Sequence, residues 1–153
     1  MKIINNYING KLENLSNKYQ DVIDPSTGEV SGQVLLSDKD DLKSVLNSSR
    51  NAFHSWSSLT PLKRSRIISN YKDILEKNVE KLAKLVSSEH GKTLEDAKGS
   101  VQRGLEVVEF ACGIPHLLKG EFSQEVGSNI DSWSIRQPLG ITVGITPFNF
   151  PAM

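Results

Sequence analysis

The chain of 153 residues carries 18 Lys+Arg against 18 Asp+Glu, a net charge of zero. That excludes an electrostatically driven nucleic-acid binder, which needs a basic surplus to displace counterions, and an acidic disordered tail. The length suits one ordinary domain with a core, and a single cysteine leaves no internal disulfide, as a reducing compartment would allow.

In chain order, KIINNYINGKLE reads as strand with Asn9-Gly10 at its middle, a two-residue hairpin signal. Val22 and Ile23 lead into Asp24-Pro25-Ser26-Thr27-Gly28, a strong turn, and a β-rich run follows. Residues 2–36 are therefore expected to form short antiparallel strands. A first helix is expected to open at Ser37 with Asp40 as its capping-box partner and an apolar stripe of Leu42, Val45, Leu46, Phe53 and Trp56. Thr60-Pro61 starts a second helix, faced by Ile67, Ile68, Tyr71, Ile74 and Leu75. The third carries Val79, Leu82, Ala83 and Val86 and stops at Gly91. Thr93 with Asp96 caps a fourth, whose stripe runs Ala97, Val101, Leu105, Val108 and Cys112, with Pro115 near its end.

Beyond Gly120 the period returns to two. Residues 121–137 read as a hairpin turning near Gly127-Ser128-Asn129, with a strand Asp131–Arg136 that puts Trp133 and Ile135 on one side. Such a ribbon is marginal alone and needs a surface to lie against. In LGITVGITP, Ile141, Val143 and Ile145 alternate with small residues, so residues 139–146 are expected to form a strand approached closely by something else. Strand ends of that kind are where α/β folds place ligands.

The N-terminus MKIINNYING lacks an apolar signal core, and no apolar run approaches a membrane span. A cytoplasmic protein with no membrane partner is expected, with a mitochondrial address as the alternative. His54, His90 and His116 have no metal-ligand spacing, so no metal is expected. Gly91-Lys92-Thr93 lacks the first glycine of a phosphate loop and reads as a helix–turn–helix junction. Cys112 and His116 lie four apart, but Pro115 intervenes and no third group orients a base. Cys112 completes an apolar stripe, as a small hydrophobe would.

The candidate chemistry lies in GITPFNFPAM. Pro147 and Pro151 stiffen the loop around Asn149. A fixed amide N–H in a dry aromatic setting can stabilise an oxyanion growing on a carbonyl, and an asparagine satisfying its own turn is the other reading. Helical spacing sets Arg103 on one stripe with Val107, Phe110 and Ile114. An arginine on an apolar surface is expensive unless an anion pairs with it. An i,i+3 pair with Glu106 on a solvated edge is the other reading.

GITPFNFP resembles the signature of the aldehyde dehydrogenase family. EFACGIPHLLKGEFS, SIRQPLG and ITPFNFPAM resemble its CoA-acylating methylmalonate-semialdehyde branch, and the likeness runs from YINGK to Met153. The resemblance implies an α/β fold. Residues 1–120 would be the N-terminal part of an NAD-binding domain, 121–137 a projecting β-hairpin arm for homo-oligomer formation, and 138–153 the first part of a Rossmann-like sheet. It implies Asn149 as the oxyanion donor and Phe150 as a wall of the aldehyde tunnel. It implies Arg103 as the holder of the substrate carboxylate. Ile145, Thr146, Pro147 and Phe148 would run beside the NAD nicotinamide and ribose. The implied substrate is a small carboxylated aldehyde, and coenzyme A is the co-substrate. A cysteine nucleophile attacks the aldehyde, the adduct gives hydride to NAD, and the acyl group passes to coenzyme A with loss of CO2. The matching cysteine would lie downstream of Met153, so these 153 residues alone are expected to be inactive. Two other readings are a non-acylating dehydrogenase for an uncharged aldehyde and a non-catalytic oligomerisation module.

Overall fold

The computed structural model describes residues 2–153. Its N-terminal part runs β1 (Lys2–Ile4), β2 (Asn6–Ile8), β3 (Lys11–Glu13), β4 (Tyr19–Ile23) and β5 (Val30–Leu35). Asn9 and Gly10 take left-handed backbone, φ 50° and 77°, as a two-residue hairpin connection requires, and they set Asn6 opposite Glu13 and Ile8 opposite Lys11. At the second turn the Asp24 carboxylate accepts from Ser26 N–H at 2.7 Å, and the Asp24 carbonyl accepts from Gly28 N–H at 2.8 Å. β4 and β5 therefore pair antiparallel. β1 does not follow the expected pattern. It lies parallel to β5, with Ile3 opposite Gln33, giving the order β1-β5-β4. Turn residues announce pairings between sequence neighbours, whereas a pairing across some thirty residues leaves no turn signature to read.

α1 (Lys39–Ser58) starts one residue later than expected. Asp38 is its N-cap and accepts from Asp40 N–H at 2.8 Å and Asp41 N–H at 3.2 Å, while Asp41 accepts in return from Asp38 N–H at 3.1 Å. The run Ser37-Asp38-Lys39-Asp40-Asp41 contains two overlapping capping frames. Tertiary contact selects the second, because the Asp41 carboxylate also accepts from Leu15 N–H (3.1 Å), Ser16 N–H (3.3 Å) and the Asn6 amide (3.2 Å). Asp41 is 1% exposed and ties the hairpin, the following loop and the helix start together. Its carboxyl is held below the usual aspartate range. The Asp38 N–H is the main cause, burial opposes it, and the other three donors add to it.

The core is built around one helix. α4 (Leu94–Cys112) packs against α2 (Pro61–Lys77) and α3 (Val79–His90), burying Ala97, Ser100, Val101 and Leu105 with Ala83 of α3. Thr60 and Thr93 cap α2 and α4 through their hydroxyls, and Gly91 ends α3 in the left-handed region at φ 81°, as expected. Two lysines bridge the helices. Lys98 of α4 meets Glu80 of α3 at 2.8 Å, and Lys72 of α2 meets Glu76 at 2.9 Å with Glu109 of α4 at 3.9 Å. The other expected stripes are only partly covered. Leu42, Val45 and Trp56 of α1 and Ile67, Tyr71 and Ile74 of α2 stay exposed.

After α5 (Ile114–Leu117), β6 (Phe122–Gly127) and β7 (Ile130–Trp133) form the projecting ribbon. β7 is shorter than the expected strand Asp131–Arg136, although Ser134 N–H still donates to the Glu121 carbonyl at 2.9 Å. The ladder shifts between Ser123 and Gly127. There Glu125 takes φ 52° and its N–H donates to the Asp131 carboxylate at 2.9 Å. Residues 139–146 form no strand. Alternation alone does not make one: a strand needs a hydrogen-bonding neighbour, and none lies beside this segment among the described residues. Val143 and Ile145 are 85% and 94% exposed.

Candidate active-site loop

Residues 147–153 turn back on themselves, with Met153 N–H donating to the Phe150 carbonyl at 3.3 Å. The loop meets the middle of α4 at Gly104 and the junction before that helix at Lys92. Lys92 lies between the stop of α3 and the cap of α4, and its ammonium reaches across that gap. It donates to the Ser100 hydroxyl at 3.1 Å and to the Asn149 carbonyl at 3.4 Å, and stands 4.8 Å from the centre of the Phe150 ring. Farther along α4, the backbone of the loop meets Gly104. A Cβ there would stand 2.7 Å from the Ala152 carbonyl oxygen, so only glycine admits the loop at this distance.

Asn149 is thus held by its backbone, and its side chain is exposed and makes no hydrogen bond among the described residues. Its amide N–H groups are free to donate outward. Phe150 is 37% exposed, shielded on one face by Lys92, whereas Phe148 is 91% exposed. Ile145, Thr146, Pro147 and Phe148 are all exposed, and among the described residues their backbone groups bond to nothing else in the chain.

Arg103 is brought to the same side. It lines a hollow of ≈ 390 Å³ with Glu106, Val107, Phe110 and Met153. Val107 and Phe110 are 60% and 68% exposed, so the floor is apolar. The i,i+3 pair with Glu106 is not formed, and no carboxylate lies within salt-bridge distance of Arg103 among the described residues. Ile114, expected on the same stripe, does not line the hollow. Cys112 faces inward: it is half-buried and its thiol points to the Val108 carbonyl at 3.3 Å. His116 is exposed. No metal-holding cluster occurs among the described residues, and no helix there is long and apolar enough to cross a membrane.

Sequence reasoning missed Lys92, Ser100, Gly104 and Met153 at this site. In the sequence Lys92 stands inside a helix–turn–helix junction, which carries no sign of a distant partner. Gly104 did carry a signal, since a glycine inside a helix costs about 1 kcal/mol relative to alanine and often marks a close approach.

The chain has clear relatives. It is 47% identical over 153 residues to a malonate-semialdehyde dehydrogenase of Pseudomonas aeruginosa, covering 100% of this chain and 31% of that protein. A Dictyostelium discoideum protein described as an acylating, mitochondrial methylmalonate-semialdehyde/malonate-semialdehyde dehydrogenase is 45% identical over 148 residues, 96% of this chain and 28% of its own length. Among solved structures, a Sinorhizobium meliloti protein described as a methylmalonate-semialdehyde dehydrogenase in complex with NAD superposes with a TM-score of 0.94 at 45% identity, covering 100% of this chain and 31% of that one. The chain therefore spans under a third of the length of these relatives. With the aldehyde dehydrogenase family matching residues 12–153, the chain belongs to that family.

Proposed function

We propose that these residues are the N-terminal part of an NAD-dependent, CoA-acylating methylmalonate- or malonate-semialdehyde dehydrogenase. The observation that carries this is the juxtaposition on α4 of a loop presenting an unengaged Asn149 amide and an apolar hollow presenting an unpaired Arg103. A semialdehyde bears a carbonyl to be attacked and a carboxylate to be held. Arg103 holds the carboxylate by a charge-assisted, two-pronged contact beside the apolar side chains of Val107 and Phe110. Asn149 donates to the carbonyl oxygen as negative charge grows there. Because Lys92 and Pro147 restrain the loop, that donor is already in place when the charge appears. Phe150 supplies an apolar wall that favours the close approach of the aldehyde carbon.

The exposed backbone of residues 145–148 is the part of this chain that would hold NAD, whose nicotinamide accepts the hydride when bound. Residues up to 120 then serve as the N-terminal part of the cofactor domain and residues 138–153 as the beginning of its sheet. Residues 121–137 act as the homo-oligomer arm. Support for the arm comes from its exposed apolar side chains Phe122, Val126, Ile130 and Trp133. The nucleophilic cysteine lies outside these residues, and coenzyme A takes the acyl group as co-substrate. The acylating description of the Dictyostelium relative supports that last assignment.

The test uses the full-length enzyme carrying this chain. Asn149→Ala should lower kcat about 100- to 1,000-fold, the loss seen when one oxyanion donor is removed. Arg103→Leu should raise KM for malonate semialdehyde and leave an uncharged aldehyde such as propanal unaffected. Equal losses on both aldehydes would refute the carboxylate role, and turnover independent of coenzyme A would refute the acylating assignment in favour of a non-acylating dehydrogenase.

A further inference from the structure

We infer that Lys92 is a positioning residue for Asn149, and that it sets the turnover of the proposed dehydrogenase without touching substrate. The inference rests on the reading of Asn149 as the oxyanion donor and goes beyond it by naming what holds that donor still.

The geometry begins with the backbone of Lys92 itself. Gly91 turns the chain at φ 81°, and the Ser87 hydroxyl donates to the Lys92 carbonyl at 2.8 Å, so the root of the side chain is fixed at the α3–α4 junction. From there the ammonium has three engagements. The first is the Ser100 hydroxyl, 3% exposed, which in turn donates to the Asp96 carbonyl at 3.1 Å within α4. The second is the carbonyl of Asn149, at 3.4 Å. The third is the face of Phe150, 4.8 Å away. One end of this chain of contacts belongs to the best-packed helix of the molecule. The other end is the very residue whose side chain must be aimed.

Lys92 is the side chain that bonds to Asn149 among the described residues, while the loop's other tie to α4 is the close approach of Ala152 to Gly104. Among the described residues the Asn149 side chain makes no hydrogen bond, and the segment leading to it, residues 139–147, lies in no regular element. A rigid donor is worth more than a mobile one, because a mobile one must be ordered as the charge develops. Lys92 supplies that order through the Asn149 backbone carbonyl, leaving the side-chain amide free. Removing its ammonium should free Asn149 to wander while leaving Arg103 and the apolar hollow intact, since Lys92 does not line that hollow.

The experiment is a mutant cycle in the full-length enzyme carrying this chain. Lys92→Met keeps the length of the stem and removes the ammonium; Lys92→Arg restores a cation with donors. Lys92→Met should lower kcat about ten- to a hundredfold, the range for a small misplacement of a catalytic group. KM for malonate semialdehyde and NAD affinity, read by quenching of protein fluorescence, should stay within the error of the parent enzyme. Lys92→Arg should recover most of the lost kcat. In the Asn149→Ala background, Lys92→Met should add little further loss, because the group it positions is already gone.

Losses that multiply in the double variant would overturn the role of Lys92 and leave that of Asn149 standing. An Asn149→Ala enzyme with full turnover would overturn both. A Lys92→Met enzyme with unchanged kcat, or one in which kcat, KM and thermal midpoint all deteriorate together, would also overturn the inference. So would an equal loss in Lys92→Arg.

Discussion

Asn149 and Asp41 show how differently two polar side chains can be used in one chain. Asp41 is buried and fully engaged, accepting from four donors, whereas Asn149 is exposed and its amide engages nothing among the described residues. The first is structural by the rule that buried polar groups are hydrogen-bonded. Its pH dependence has a definite sign. The folded state holds the Asp41 carboxyl below its ordinary value, chiefly through the Asp38 N–H, so the stabilisation is complete above the unfolded aspartate range and is lost as the pH falls through the lower folded value. Asp41→Asn should therefore lower the thermal midpoint at neutral pH. The gap from the parent should narrow once the pH drops below about 4. A gap that stays constant down that range would show that the carboxylate charge is irrelevant. Gly104 permits a second residue-scale prediction. Gly104→Ala places a Cβ against the Ala152 carbonyl, a backbone atom that must move, so the variant should lose turnover with little change in thermal midpoint. Unaltered kcat would show that the loop tolerates displacement. Cys112, with its thiol turned to Val108 and half-buried, should accept replacement by serine with no loss of turnover; abolished turnover would reassign it as reactive.

At the scale of elements, α4 organises both the core and the site. One face buries Ala97, Val101 and Leu105, Ser100 anchors Lys92, Gly104 admits the loop and Arg103 lines the hollow. Leu105→Ala should therefore cost about 2–5 kcal/mol, as for a buried leucine whose surroundings relax only in part. Chemical denaturation measures it, and a loss below the error of the method would mean that the α2–α4 seam is looser than its burial implies. The lysine bridges to Glu80 and Glu76 raise the pKa of Lys98 and Lys72, mainly by the hydrogen bond to each glutamate. Their contribution is complete below the ordinary lysine value and fades only as the pH climbs through the raised folded value, so neutral pH leaves it untouched. Exposed ion pairs of this kind add little each.

The whole molecule is unusually open. Six apolar residues are buried among those described, while Leu139, Val143, Ile145 and Phe148 are each more than 80% exposed and Phe122, Val126, Ile130 and Trp133 of the β6–β7 ribbon are also exposed. Exposed apolar surface on that scale marks interaction sites. In the full-length enzyme, Trp133→Asp should therefore shift the assembly to smaller species in analytical ultracentrifugation. An unchanged sedimentation profile would remove the arm from the interface. The 153-residue chain purified alone should be prone to association and should show no turnover with semialdehyde, NAD and coenzyme A; turnover above blank would place the nucleophile within it.

Much of this was legible in the chain itself. The hairpin at Asn9-Gly10, the caps at Thr60 and Thr93 and the stop at Gly91 all follow from contacts between near neighbours, whose geometry a few side chains dictate. The signature around Asn149 was likewise visible, and pointed to the family to which the chain belongs. What only the tertiary structure decided is longer in range. The parallel pairing of β1 with β5, the choice of Asp41 over Asp40 as capping partner, and the grip of Lys92 and Gly104 on the loop all join segments far apart in sequence. A strand at residues 139–146 failed to form for the complementary reason. Alternation prepares a segment for a sheet, but its hydrogen bonds must come from a neighbour, and pairing is a property of two segments rather than of one.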